Sequence, residues 1–116
     1  MINDLDLYGL PINTIRKIQN VFSNYLDIHR VCLYGSRAKG NYHAGSDIDL
    51  TIMDDSFNSS RLLKIETELD DLLLPYKIDL SIFCKIENQD LIDHIQRVGI
   101  DFYIQPCRHS RADGNP

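Results

Sequence analysis

Two short segments of alternating apolar and polar residues constrain the fold most. The segments 47–53 and 77–83 each place isoleucine or leucine at every second position. Such a period of two predicts β-strands with one apolar and one polar face. The polar face of the first strand carries Asp47 and Asp49, and that of the second carries Asp79. A sheet built from these strands buries one side and presents carboxylates on the other.

Helical periodicity lies between these strands and around them. Apolar residues three or four positions apart predict helices over about 11–25, 59–74 and 88–99. Pro75 is expected to end the second helix, and Asn88 and Gly99 to cap the third. The runs 30–34 and 100–104 predict two further strands, the latter at a sheet edge. The alternation of helix and strand favours an α/β (α+β) domain.

Length and composition exclude several classes of protein. The chain has 116 residues and a net charge of −5, which argues against a broad basic face and against direct nucleic-acid binding. No apolar run is long enough to span a membrane, and no secretory signal is visible. Three widely spaced cysteines suit a reducing cytoplasm. We expect one domain over residues 1–107 and a polar, disordered tail over 108–116.

The segment from Gly35 to Leu50 reads GSRAKGNYHAGSDIDL and carries the chemistry. Gly35 allows a tight turn and the close approach of a ligand, because it has no side chain. The amides that follow it, together with the Ser36 hydroxyl, form a candidate anion site. Arg37 and Lys39 add positive charge there. Taken alone, the segment is also compatible with an ordinary turn between a strand and a helix.

The aspartates strengthen the interpretation of this turn as a phosphate site. Asp47 and Asp49 point to one face of a strand, where two like charges repel unless a cation lies between them. Carboxylates at this spacing suit Mg²⁺, which also takes phosphate oxygens as ligands. If Asp79 lies on the neighbouring strand, three carboxylates converge and could hold two ions. The alternative is that each aspartate is a solvated residue on a one-sided sheet.

Other phosphate and metal motifs do not fit. A Walker loop would need lysine after the glycine at position 40, where Asn41 stands, and a calcium loop starting at Asp47 would need glycine at Ile52. None of the four histidines is at metal-ligand spacing with another histidine or a cysteine. His43, in the loop before the aspartates, is expected to be exposed.

At these residues the sequence resembles the polymerase-β-like nucleotidyltransferases, and within them the minimal nucleotidyltransferase (MNT) branch of the antitoxin type. The signature GSxAxG…SDxDL is complete, from Gly35, Ser36, Ala38 and Gly40 to Ser46, Asp47, Asp49 and Leu50. Asp79 fits the third carboxylate of the family, on a later strand. The resemblance covers about residues 10–105 and implies a palm with a small mixed β-sheet and helices packed mainly on one face.

The resemblance also implies a reaction and a site. The activity would be magnesium-dependent transfer of AMP from ATP with release of diphosphate. Asp47, Asp49 and Asp79 would be the catalytic and metal-binding residues, holding two Mg²⁺ ions. The nucleotide would be bound by the residues of the turn and of the loop after it: Gly35, Ser36, Arg37, Lys39 and Ser46.

The same resemblance gives the partner and leaves alternatives open. MNT proteins are commonly paired with HEPN-domain toxins, so it implies an antitoxin that adenylylates a tyrosine of a HEPN-type partner. One alternative is an antitoxin that only binds and occludes its partner, and another is a transferase for a small molecule. Because the palm uses nearly the whole chain, little sequence remains for an acceptor pocket, which favours a macromolecular acceptor.

Overall fold

The computed structural model describes residues 6–55 and 57–106. The predicted tail, 108–116, lies outside the described residues. The strands are β1 (Asp6–Leu7), β2 (Leu10–Pro11), β3 (Arg30–Tyr34), β4 (Ile48–Ile52), β5 (Ile78–Ile82) and β6 (Ile100–Ile104). The helices are α1 (Ile12–Ser23), α2 (Ser36–Lys39), α3 (Leu62–Asp70) and α4 (Gln89–Val98), with 3₁₀ turns at Ser59–Arg61 and Phe83–Lys85. No helix in this described part is long and apolar enough to cross a membrane.

Four of the strands form one mixed sheet in the order β5-β4-β3-β6. The pair β4 and β5 is parallel, whereas β3 is antiparallel to both of its neighbours. The two strands predicted from alternating residues are therefore adjacent, and β6 lies at an edge as predicted. This neighbour relation is what brings the acidic positions of β4 and β5 side by side.

One face of the sheet is covered by α1 and α3. The apolar residues of β4, with Leu50 at the centre, are fully buried against the apolar stripes of these helices. Ile18 and Phe22 of α1 and Ile65 of α3 are fully buried as well. The spacing of three and four positions that predicted these helices is the stripe that packs on the sheet.

The fourth helix, α4, lies on the opposite face. The ring of His94 contacts the ring of Tyr34, and Gly99 at the end of α4 lies over Cys32. Tyr34 and Cys32 alternate along β3 with the core residues Val31 and Leu33, so they point away from the core. The prediction of a mixed sheet with helices mainly on one face is thus confirmed, and α4 is the helix on the other face.

Two local features differ from the sequence predictions. Helix α3 ends at Asp70 rather than at Pro75. After it the chain turns back with Leu73 in the left-handed region (φ 55°), while Leu72 and Leu74 pack against the core. The hairpin of β1 and β2 was not predicted; it turns at Tyr8 and Gly9, both at positive φ, as a tight two-residue hairpin requires.

Candidate active site

The polar face of the sheet carries an acidic pair at its centre. Asp49 of β4 is directly opposite Asp79 of β5, and on its other side it pairs with Tyr34 of β3. Asp47 immediately precedes β4 and shares the side-chain direction of Asp49. Asp47 and Asp79 are exposed and Asp49 is partly buried. The structure therefore brings the three predicted carboxylates to one region, with Asp49 in the middle.

The position of Asp49 makes its negative charge unfavourable. Burial raises the pKa of Asp49 to about 6, and the charges of Asp79 and Asp47 act in the same direction. Every influence on this carboxyl thus disfavours its ionised form. A nearby cation would reverse that balance.

Gly35 brings the backbone against this carboxyl. It lies directly between β3 and α2, at φ 78° and ψ −158°, a conformation that essentially only glycine adopts. A Cβ atom at this position would overlap Oδ2 of Asp49. Glycine is required here both by the backbone angles and by the space, and Ser36 then opens α2 beside the carboxylates.

Arg37 has a different surrounding from the one predicted for a nucleotide ligand. It is 2% exposed, and its guanidinium lies beside the rings of Tyr42 and Tyr76. Nε and Nη2 donate to the carbonyl of Ser46 at 3.1 and 2.9 Å, and Nη1 donates to the carbonyl of Tyr8 at 2.9 Å. These bonds tie the loop before β4 to the β1–β2 hairpin.

The other predicted nucleotide ligands divide between loop and surface. The hydroxyl of Ser46, which is buried, accepts a hydrogen bond from the His43 amide at 3.0 Å and closes a turn. Lys39 is exposed at the end of α2, and His43 is exposed as predicted. Arg37 and Ser46 thus form one structural unit, whereas Gly35, Ser36 and the aspartates form another.

Two residues of this region were not predicted from the sequence. Tyr34 pairs with Asp49 across the sheet. Burial raises the pKa of Tyr34, Ser81 lowers it, and the charges of Asp49 and Asp79 raise it further. His94 of α4 accepts a hydrogen bond at Nε2 from the Gly35 amide, at 3.1 Å. Strand alternation could have indicated Tyr34, but no sequence signal indicates where α4 packs.

The donor set fits a divalent cation that also binds phosphate. Carboxylate oxygens are the ligands that Mg²⁺ prefers, and a cation would offset the burial and the like charges that raise the pKa of Asp49. In the described ranges, however, no three His, Cys, Asp or Glu side chains converge enough to hold an ion by themselves. The expected triad is therefore not a complete cage, and phosphate oxygens would have to supply the remaining ligands.

Comparison with known proteins agrees with this geometry. Residues 16–106 match the family described as Polymerase beta, Nucleotidyltransferase. The chain belongs to this family. Nucleotidyl transfer is the chemistry for which this family is named. The chain is also similar in fold to several solved structures. No curated protein sequence matches the chain significantly.

Two of these solved structures are toxin–antitoxin assemblies. One, a toxin–antitoxin with AMP-PNP, is 21% identical, with a TM-score of 0.59 over 80% of this chain and 73% of that chain. The other is a mutant of the toxin–antitoxin MntA-HpeT, 18% identical, with a TM-score of 0.58 over 80% of this chain and 72% of that chain. At this level of identity the similarity establishes the fold.

Proposed function

We propose that this protein is a magnesium-dependent nucleotidyltransferase that moves AMP from ATP onto a tyrosine of a HEPN-type toxin, and thereby acts as its antitoxin. The observation that carries the proposal is the packing of the Gly35 turn against the Asp49 carboxyl, with Asp79 opposite in the sheet. A phosphate-binding turn and a cation-binding carboxylate are thus in contact, as nucleotidyl transfer requires.

Each residue of the site has a proposed part in the reaction. The turn of Gly35 and Ser36 receives the β- and γ-phosphates, while Asp47, Asp49 and Asp79 would hold two Mg²⁺ ions, which would neutralise phosphate charge. The acceptor oxygen forms a bond to the α-phosphorus, the bond to the α–β bridging oxygen breaks, and diphosphate leaves. Asp79, which is exposed like Asp47 and lies on the neighbouring strand, takes the hydroxyl proton. Lys39 at the rim offers a further positive charge to the phosphates.

Arg37 and Ser46 have a supporting part in this proposal. The Arg37 guanidinium donates to backbone carbonyls on two sides and is almost fully buried. We therefore assign it to holding the loop that leads into Asp47, rather than to binding nucleotide. Ser46, whose carbonyl accepts from Arg37, belongs to the same support.

Similar proteins support the antitoxin part of the proposal. One similar assembly is a toxin–antitoxin with AMP-PNP, an ATP analogue. In the MntA-HpeT mutant, two aspartates two positions apart are replaced by glutamate. Asp47 and Asp49 have the same spacing.

The test is transfer of AMP onto a HEPN-type partner. With ATP and Mg²⁺, the purified protein alone should modify little, whereas adding a HEPN-type partner should increase the partner's mass by one or a few AMP units. The Asp47→Asn/Asp49→Asn variant should lose both the mass gain and neutralisation of the toxin in cells. Asp70→Asn/Asp71→Asn, with the same charge change at exposed positions of α3 and its end, is the matched control.

The other functions predict different outcomes. If the double variant still neutralises the partner and no mass gain occurs with wild-type protein, the chain is a binding antitoxin. If the partner stays unmodified and AMP appears on a small molecule instead, the acceptor assignment is wrong.

A further inference from the structure

His94 connects α4 to the turn of the candidate active site. Its Nε2 atom accepts the N–H of Gly35 at 3.1 Å, between residues 59 positions apart in the sequence. A neutral imidazole that accepts at Nε2 carries its proton at Nδ1. The contact thus defines both the tautomer of His94 and the partner of the Gly35 amide.

The surroundings of His94 hold the ring in place as an acceptor. The ring packs edge-on against Tyr34, with centroids 6.1 Å apart and an interplanar angle of 79°. Burial lowers the pKa of His94, as do the positive charges of Lys39 and Arg97, and each of these influences favours the neutral ring. Ile95, the next residue of α4, is buried and anchors the helix.

Gly35 needs such a partner more than other residues of the turn. Glycine has the widest conformational freedom of any residue, so nothing in its own covalent structure selects φ 78°. Its α-carbon lies against Asp49 on one side, and its amide is held by His94 on the other. A shielded backbone N–H without an acceptor would be unfavourable, so this bond also stabilises the turn.

We propose that His94 is a positioning residue: by accepting the Gly35 amide, it fixes the nucleotide-binding turn against the carboxyl of Asp49. This inference rests on the proposed nucleotidyltransferase function. It also assigns Gly35 a specific part, because an amide that donates to His94 is not a donor to phosphate. Gly35 then contributes close approach, and the hydrogen bonds to phosphate come from the residues after it.

The experiment compares two substitutions that differ in one hydrogen-bond acceptor. His94→Leu removes the acceptor, whereas the side-chain carbonyl of His94→Gln can replace it. In His94→Leu we expect the KM for ATP to rise about 2- to 12-fold with kcat little changed, because one hydrogen bond to a binding element is lost. His94→Gln should restore a KM close to wild type. Gln96→Leu, an exposed position on the same helix, is the control.

Two measurements by NMR test the contact without using activity. In the wild type, the ring ¹⁵N shifts of His94 should show a protonated Nδ1 and an unprotonated Nε2. Amide exchange of Gly35 should be slow in wild type and in His94→Gln, and faster in His94→Leu under conditions in which that variant stays folded. The reverse tautomer, or equal exchange and equal KM in all variants, would overturn the inference.

Failure of the proposed function would look different. If wild-type protein neither binds ATP nor transfers AMP to any partner while both NMR results are as expected, the nucleotidyltransferase assignment fails and His94 merely stabilises the turn. That result would reject the positioning of a nucleotide site as well. If wild-type protein is active and both His94 variants have the same KM and the same Gly35 amide exchange as wild type, the function stands and the inference fails.

Discussion

The two faces of the four-stranded sheet differ in the kind of residue they carry and in what those residues contribute. On the face under α1 and α3, Leu50 and its neighbours are fully buried, and apolar packing stabilises the domain. On the other face, Asp49 and Asp79 are paired across two strands, and α4 covers only part of the sheet. Adjacent residues of β4 therefore contribute alternately to stability and to the proposed chemistry.

This difference explains why charge is tolerated in an apolar strand. Asp49 is flanked by fully buried residues, Ile48 and Leu50, which point to the core. Their burial supports the strand, while Asp49 itself is destabilised by burial and by like charges. Stability on one face thus maintains an unfavourable arrangement on the other, as is common at functional sites.

The largest effect should come from the polar face. Asp49→Asn keeps the side-chain shape and removes the charge, so transfer of AMP should fall by at least about 10³-fold while the domain stays folded. Transfer is measured by the mass of the modified partner, and folding by circular dichroism. A folded variant with unchanged transfer would remove Asp49 from the proposed mechanism.

The neighbouring residue should give the opposite result. Leu50→Ala leaves a cavity in the core and should lower the free energy of unfolding by about 2–5 kcal/mol. Transfer by the fraction that remains folded should be close to wild type. Urea unfolding measures the first quantity, and activity per folded molecule at low temperature measures the second. A specific loss of activity with normal stability would contradict the division between faces.

Arg37 should behave like a core residue although it is charged. Arg37→Leu leaves the carbonyls of Ser46 and Tyr8 without their donors, so we expect a loss of roughly 2–4 kcal/mol in unfolding free energy. Lys39→Leu, the exposed neighbour on α2, should change it by less than about 0.5 kcal/mol. Equal stability of both variants, with a raised KM for ATP in Arg37→Leu alone, would restore the prediction that Arg37 binds nucleotide.

The sequence predicted the strands of the site well, because the alternation of apolar and polar residues indicates both where a strand lies and which face each of its residues occupies. The strands β3 to β6 and the meeting of Asp49 with Asp79 follow from local pattern and from the family resemblance. The placement of α4 does not, since its apolar stripe fits either face of the sheet. For that reason His94 could not be assigned to the Gly35 turn from sequence.

Arg37 shows a second limit of sequence reasoning. Its position in the signature suggests a phosphate ligand, yet its environment depends on the unpredicted hairpin, whose Tyr8 carbonyl it binds. The early end of α3 has a similar cause. The apolar pattern of α3 continues to Leu74, but a turn after Asp70 lets Leu72 and Leu74 pack against the core. In each case a tertiary contact overrides the local pattern.

The raised pKa of Asp49 gives a pH dependence of stability. Its pKa is about 6 in the folded protein against 3.8 ordinarily, so the folded state binds more protons between these values. Stability from this group is therefore lost as pH rises from about 4 to 6. At pH 7 and without Mg²⁺, Asp49→Asn should be more stable than wild type by about 1 kcal/mol, after discounting for partial exposure. Urea unfolding of both proteins at pH 4 and pH 7 measures this, and a difference that does not grow with pH would contradict it.

The smallest effect concerns Thr51, the next residue of β4 on the polar face. Its side chain is fully buried, and within residues 6–55 and 57–106 its Oγ1 atom has no hydrogen-bond partner. Replacing the hydroxyl by a methyl group in Thr51→Val removes an unpaired polar atom and adds a residue that favours strands. We expect the free energy of unfolding to rise by about 0.5–1 kcal/mol, with transfer unchanged. Thr67→Val on α3 is the control, because that hydroxyl is exposed and donates to the Leu63 carbonyl, so no gain is expected. A loss of stability in Thr51→Val would contradict this prediction. It would mean that the Thr51 hydroxyl has a hydrogen-bond partner, such as a bound water.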